Sequence, residues 1–151
     1  MICAALLALG IDIAPTAEPV CADVVEAAEA YHLPADVLVS VAWHESRMWP
    51  DVVHPESGAA GPLQVMPLLQ TDAGLVDDGA RIFRQWLDHE ARACVEVPTR
   101  AELGAALCRY ACGYRCEYPC RWASTRLALA DRLALASLAS YDDGPDADEV
   151  K

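Results

Sequence analysis

The stretch from Pro34 to Pro67, PADVLVSVAWHESRMWPDVVHPESGAAGPLQVMP, decides how the rest of the chain reads. Pro34 suits the first turn of a helix, where its missing N–H costs nothing. Val37, Leu38, Val41 and Ala42 then recur at helical spacing, which predicts a helix with a buried face. Glu45 falls four residues after Val41, on the same side and one turn on. A carboxyl there is poorly solvated, and poor solvation favours the neutral form that a general acid needs. The plain alternative is a solvated glutamate at a helix end. A loop rich in Gly, Pro and Ser follows from Trp49 to Gly61, and then a short apolar segment with a lone amide, Gln64. An amide among Leu63, Val65 and Met66 is costly to bury without partners, so it is expected to face a cleft or a backbone group.

Three runs stand in order here: Glu45-Ser46, Gly58-Ala59-Ala60-Gly61 and Leu63-Gln64-Val65-Met66-Pro67. Together they resemble the soluble lytic transglycosylases (SLT type), lysozyme-like enzymes that cleave the peptidoglycan glycan strand. The family pattern is a Glu-Ser pair, a Gly-Ala-x-Gly-Leu-Met-Gln-x-Met-Pro stretch and a later Ala-Tyr-Asn-x-Gly. The later run is here Arg109-Tyr110-Ala111-Cys112-Gly113, with Ala111 in place of the asparagine. Pro62 likewise stands for the leucine after Gly61, and Leu63 for the methionine. Gly79-Ala80-Arg81-Ile82-Phe83 resembles a family Gly-Ala-Arg-Tyr-Leu segment. The resemblance runs in order from Val24 to Leu133 and weakens after Pro67.

It implies a mainly α, lysozyme-like α+β domain, with a small or vestigial β-region near the Trp49–Gly61 loop forming one wall of a cleft. It implies Glu45 as the catalytic acid/base and Gln64, Met66, Tyr110 and Ser46 as substrate-binding residues, the Tyr110 hydroxyl lying close to the glutamate. His54 is a further substrate-binding candidate, near where the family often carries a serine. A hydrolysing glycosidase needs two carboxyls, roughly 5 Å apart for retention or roughly 6.5–9.5 Å for inversion. In the family a single glutamate suffices, because the nucleophile is the C6 hydroxyl of the same N-acetylmuramic acid and orientation replaces activation of water. Should water be used instead, Asp51, Glu56, Asp72, Asp77 and Asp78, all in loop-like sequence, are the available second carboxyls. Three readings follow: a lytic transglycosylase cleaving between N-acetylmuramic acid and N-acetylglucosamine, a muramidase hydrolysing the same bond, and a catalytically silent glycan-binding or structural module. The replaced asparagine is what keeps the last in view. No cofactor and no metal is expected.

Composition narrows the partners. The 151 residues make one domain of ordinary size, and 54% hydrophobic against 23% charged residues describe a globular chain rich in helix-favouring alanine and leucine. With 23 acidic and 11 basic residues the net charge is −12, and the only lysine is the last residue. That balance excludes nucleic acid and anionic membrane surfaces as natural partners. Glycan recognition would rest on hydrogen bonds and on stacking by the 4 tryptophans and 5 tyrosines. The expected partner is the peptidoglycan glycan strand, met by a monomer or by part of a larger cell-wall or virion assembly, without stable membrane insertion. The expected location is extracytoplasmic, periplasmic or secreted, or else virion-associated.

Residues 1–19 form an apolar N-terminal segment. Ile2–Ile13 resembles a secretory h-region but lacks a positive n-region and a clean cleavage site, and is too short to span a bilayer. Residues 20–140 are read as the lysozyme-like domain and 141–151 as an acidic disordered tail. Within the domain, Val24, Ala27, Ala28 and Tyr31 form one helical stripe, and His32 is a turn residue. Gly79–Cys94 is a predicted helix with Ile82, Phe83, Trp86 and Leu87 inward and His89 and Glu90 solvated. Thr99 and Glu102 fit a capping box. Ser124 is a plausible cap for a last helix over Thr125–Ser140 carrying Leu127, Leu129, Leu133, Leu135 and Leu138. The 7 cysteines suit an oxidising compartment. Cys108, Cys112, Cys116 and Cys120 recur every four residues, an unusual zinc spacing with no histidine among them. Disulfides are the expectation, with Cys21 and Cys94 as further partners, and dropping Cys3 with a leader leaves six thiols and fifteen connectivities open.

Overall fold

The computed structural model describes residues 2–11, 17–91 and 97–142, the side chains of 140–142 excepted. Among them the chain forms six α-helices: α1 (Ile2–Ala8), α2 (Ala17–Ala30), α3 (Ala35–Ser46), α4 (Leu75–Glu90), α5 (Arg100–Cys112) and α6 (Arg121–Asp142). Short 3-10 turns cover Pro67–Leu69 and Gly113–Arg115. The mainly α, lysozyme-like expectation holds. The β-region is vestigial: two isolated antiparallel bridges join Val53 to Ala60 and Ala60 to Val65.

Helix α3 is the axis of the molecule. Every residue from Val37 to Ala42 is buried, so this helix is covered all round instead of along one stripe. It packs on α6 and α2, while α4 packs on α5. Leu38, Val39 and Val41 meet Leu6, Val24, Met48, Leu63, Phe83, Leu87, Leu107, Leu127 and Leu133 in one fully buried core. Pro34 stands at the N-cap in extended conformation, one residue before the first helical turn. At the other end Arg47 is left-handed (φ 55°) and its N–H closes on the Trp43 carbonyl, a left-handed helix stop made without glycine. Met48 is left-handed as well (φ 62°). Such a conformation costs a side-chain-bearing residue about 1–2 kcal/mol, and the full burial of Met48 is what offsets it.

Several boundaries differ from expectation. Helix α4 starts at Leu75, not Gly79, because Asp78 anchors its first turn. Asp78 is fully buried and accepts from the Thr71 N–H (2.6 Å), the Thr71 hydroxyl (2.8 Å) and Arg81 Nη2 (3.0 Å). Asp77 accepts from the Tyr31 hydroxyl at 2.7 Å, tying α2 to α4. Neither acid is in a loop, and both are spent on structure. Glu90, expected in solvent, pairs with Arg109 of α5 at 3.0 Å, whereas His89 is exposed. The capping box at Thr99 and Glu102 is complete. Helix α6 begins at Arg121, so Ser124 is inside it and caps nothing; burial of Ala123 draws the extra turn into the helix. Leu127, Leu129 and Leu133 are buried, but Leu135 and Leu138 are both 68% exposed, because α6 there runs past the body it packs on. It also continues to Asp142, two residues into the expected tail; residues 143–151 lie outside the described residues.

Helix α1 packs against α6 and α3, with Leu6 fully buried. Cys3 pairs with Cys21 across 5.8 Å between Cα atoms, so Cys21 finds the partner that had been left out of the count. Cys108 pairs with Cys120. Cys112 and Cys116, expected in disulfides, are free thiols: Cys112 points outward from the last turn of α5, and Cys116 lies 3.6 Å from a sulfur already bonded. Cys94 lies outside the described residues.

Gly79 sets how closely α4 approaches the loop before it. A Cβ at this position would lie 2.5 Å from the Leu63 Cβ, far inside contact distance. We expect Gly79→Ala to destabilise the fold by about 1–3 kcal/mol, the usual effect of overpacking. Urea unfolding measures it, and an unchanged midpoint would mean that α4 can back away freely.

Candidate active site

A groove of about 380 Å³ opens between the end of α3, the bridged loop, the end of α5 and the start of α6. Glu45, His54, Gln64, Met66 and Tyr110 line it, joined by Ser57, Ala59, Leu63, Ala111 and Trp122. Five of the six residues singled out in the sequence for catalysis or substrate binding are therefore brought together. Ser46 is the exception: it is buried, and its hydroxyl donates to the Ala42 carbonyl at 2.9 Å, closing the last turn of its own helix.

Glu45 occupies the last turn of α3, its side chain 19% exposed. The expectation that shelter acts alone on this carboxyl needs correction. Arg126 of α6 donates from Nη2 to Glu45 Oε1 at 2.7 Å, so the half-sheltered carboxyl has a cation as its partner. The same guanidinium donates from Nη1 to the Trp122 carbonyl (3.2 Å) and the Thr125 hydroxyl (3.1 Å), and its Cζ lies 3.8 Å from the centre of the Trp122 ring.

Tyr110 donates its hydroxyl to the Leu63 carbonyl at 2.7 Å, with Phe83 edge-on behind it at 6.0 Å. Burial first, and then the charge of Glu45, push this phenol well above its ordinary range, so it stays a donor at any working pH. Gln64 is left-handed (φ 51°) and uses Nε2 to hold the Gly61 carbonyl (3.0 Å) and, more weakly, that of Val52 (3.4 Å). Its amide is thus paired with backbone at the groove wall. Met66 is 46% exposed at the groove and takes no part in the core. His54 accepts on Nδ1 from the N–H groups of Glu56 and Ser57, both at 3.3 Å, which shapes the turn between the bridges.

Ser57, Trp122 and Arg126 were missed. Ser57 and Trp122 have no sequence neighbour that marks them. Arg126 does leave a trace: it falls three residues after Ala123 and four before Ala130, both buried, so it sits on the inward stripe of α6. An arginine so placed needs an anionic partner.

His44, beside Glu45 in the chain, is pushed down to about 4 from its ordinary 6.5, by burial first and then by Arg126 and Arg47. The unfolded chain takes up this proton below about pH 6.5, whereas the folded one resists until about 4. Stability therefore falls as pH drops through that window, and nothing is lost above it. Thermal midpoints measured against pH should fall less steeply there for His44→Gln, and an unchanged slope would contradict the assignment.

A slightly larger hollow, about 420 Å³, lies between α2 and the start of α4 beside Asp23, Glu26 and Asp77, and shares no residue with the groove. The sulfurs of Cys108, Cys116 and Cys120 lie within 4.8 Å of one another, the one grouping among the described residues with metal-ligand spacing. The Cys108–Cys120 bond uses two of the three.

A helical body around one buried axial helix, with a vestigial β-wall at the mouth of a groove, is a lysozyme-like arrangement. Residues 24–77 match the family model described as Transglycosylase SLT domain, a stretch that runs from α2 through Glu45, Gln64 and Met66 to the first turn of α4. At the level of that family, the match supports a lytic-transglycosylase-like function on peptidoglycan. No curated protein and no solved structure matches the chain. No helix among the described residues is long and apolar enough to cross a membrane.

Proposed function

We propose that this chain is a peptidoglycan lytic transglycosylase that uses Glu45 alone, first as acid and then as base. The observation that carries the reading is that, among the described residues, Glu45 is the only carboxyl lining a groove that also gathers Gln64, Met66 and Tyr110. Asp51, Glu56 and Asp72 are exposed and do not line it, and Asp77 and Asp78 are spent on structure.

The strand lies along the groove with a MurNAc–GlcNAc β-1,4 linkage at Glu45. The Glu45 proton passes to the glycosidic oxygen as the bond from that oxygen to the MurNAc C1 breaks. The C6 oxygen of the same MurNAc bonds to C1, and its proton returns to Glu45. No water enters, and the product carries a 1,6-anhydro end. Positioning dominates such a step, because both reacting groups belong to one sugar. Trp122 offers an aromatic face, while Tyr110 and Gln64 brace the loop that forms the opposite wall. An extracytoplasmic or virion-borne setting follows from the substrate.

Mass analysis of fragments released from purified sacculi tests the reading. Anhydro-ended fragments, one water lighter than their reducing counterparts, are expected. New reducing ends would make the protein a muramidase, and no release, equal to that of Glu45→Gln, would make it a silent binding module.

A further inference from the structure

Arg126 lies 81 positions from Glu45 in the chain yet donates to its carboxyl, and the match to the SLT family ends well before it, at residue 77. We propose that Arg126 is a positioning residue for proton transfer at Glu45: it holds Oε1 and leaves Oε2 to exchange the proton with the sugar. The inference rests on the proposed role of Glu45 and deepens it.

The arginine is held as a positioning group should be. Its side chain is 11% exposed, so water screens the pairing little. One Nη serves Glu45 while the other is fastened to the Trp122 carbonyl and the Thr125 hydroxyl, and the plane of the guanidinium is backed by the Trp122 ring. Its backbone is pinned too, since the buried Ser40 hydroxyl donates to the Arg126 carbonyl at 2.7 Å. Ser40 and Glu45 both belong to α3, so acid and arginine are registered against each other by the same pair of helices. Trp122 lines the groove while stacking on the arginine. One aromatic ring thus touches both the space for the sugar and the group that holds the acid.

The chemistry explains why a cation is useful here. When the proton leaves, a sheltered carboxylate remains until the C6 hydroxyl returns one, and the guanidinium stabilises that anion throughout the interval. Removing that cation withdraws support from the anion and leaves the neutral acid as it was, so the alkaline limb of the rate is where its loss is read. Among the described residues, the other charged or titratable groups that line the groove with the acid or act on its neighbour are Tyr110 from α5, His54 from the loop, His44 from α3 and Arg47 just past its end. Tyr110 stays protonated, and His44 stays neutral at and above neutral pH, so neither accounts for a limb on the alkaline side. His54 is tested separately by His54→Gln.

The test is the pH profile of kcat/KM for sacculus solubilisation by the full chain. Arg126→Gln keeps donors but loses the charge, and its alkaline limb should move to higher pH by about one unit, the lower end of what removing an adjacent opposite charge does. Arg126→Lys should restore the limb towards that of the parent while recovering only part of the rate, because a lysine cannot reproduce the planar contacts. A limb that stays put in folded Arg126→Gln would overturn the inference and leave Arg126 a packing residue. A limb that moves in His54→Gln to the same extent would overturn it also. If Arg126→Gln does not fold, side-chain nitrogen NMR of the parent and of Glu45→Gln decides. One slowly exchanging guanidinium signal should be present in the parent and lost or shifted in Glu45→Gln, and identical arginine spectra would refute the pairing. Equal rates for the parent and Glu45→Gln would instead remove the proposed function itself, so the two failures are distinguishable.

Discussion

Glu45→Gln should lower the rate of glycan-strand release from sacculi by about 10²–10⁴-fold, the range general acid–base catalysis commands, and towards its upper end because one group serves both steps. The amide fills nearly the same volume and can still accept from Arg126 Nη2, so the groove keeps its shape. What it cannot do is give a proton to a leaving oxygen and take one back. Stability should fall by about 1 kcal/mol, as a charge-assisted hydrogen bond becomes a neutral one. The informative result is therefore a large loss of rate beside a nearly unchanged melting temperature. Binding of the variant to sacculi should persist, since Trp122, Met66, Tyr110 and Gln64 stay in place. A residual rate within a few-fold of the parent would remove Glu45 from the chemistry.

The largest effect on the fold itself is expected from Asp78→Ala. Asp78 is completely buried, and its carboxylate collects the Thr71 N–H, the Thr71 hydroxyl and the Arg81 guanidinium, which also holds the Leu69 carbonyl at 3.2 Å. Truncation leaves those donors facing a cavity, which costs about 2–4 kcal/mol. Burial pushes this carboxyl up, but the Thr71 N–H, Arg81 and the Thr71 hydroxyl together pull it further down, and the net direction is below its ordinary 3.8. A depressed folded value means that the stabilisation is fully present above the unfolded value and is lost as pH falls through the folded one. Urea midpoints should thus drop sharply in Asp78→Ala at neutral pH, and the gap to the parent should close in strong acid. A gap independent of pH would show that the lost contacts are not ionic. Because Gly79 abuts Leu63, and Leu63 carries the Tyr110 bond, slackening the start of α4 should also raise the KM of the groove.

Helix α3, the Thr99 capping box, the turn at His32 and the left-to-right order of Glu45, Gln64, Met66 and Tyr110 all follow from local rules. Hydrophobic spacing, capping chemistry and short motifs act over a few residues, and those interactions survive in any fold that buries the same face. Ser46 shows the limit of motif transfer, because a serine at a helix end has its own backbone within reach, and there the hydroxyl goes. The true starts of α4 and α6 were displaced by burial of Asp78 and Ala123, which no propensity anticipates. Free Cys112 and Cys116, and the pairing of Cys21 with Cys3, likewise depend on which sulfurs the packed helices bring within bonding distance.

By itself, then, the order of residues determined a helical lysozyme-like domain and the identity of its candidate acid, since both are encoded in stretches shorter than two helices. Tertiary packing alone decided the company that acid keeps. Arg126 and Trp122 reach Glu45 only because α6 lies across α3, and a pairing over 81 positions has no local signature beyond one arginine on an inward stripe. Whether a sheltered carboxyl favours its proton or its charge depends on the nearest opposite charge, and that neighbour is a property of the fold.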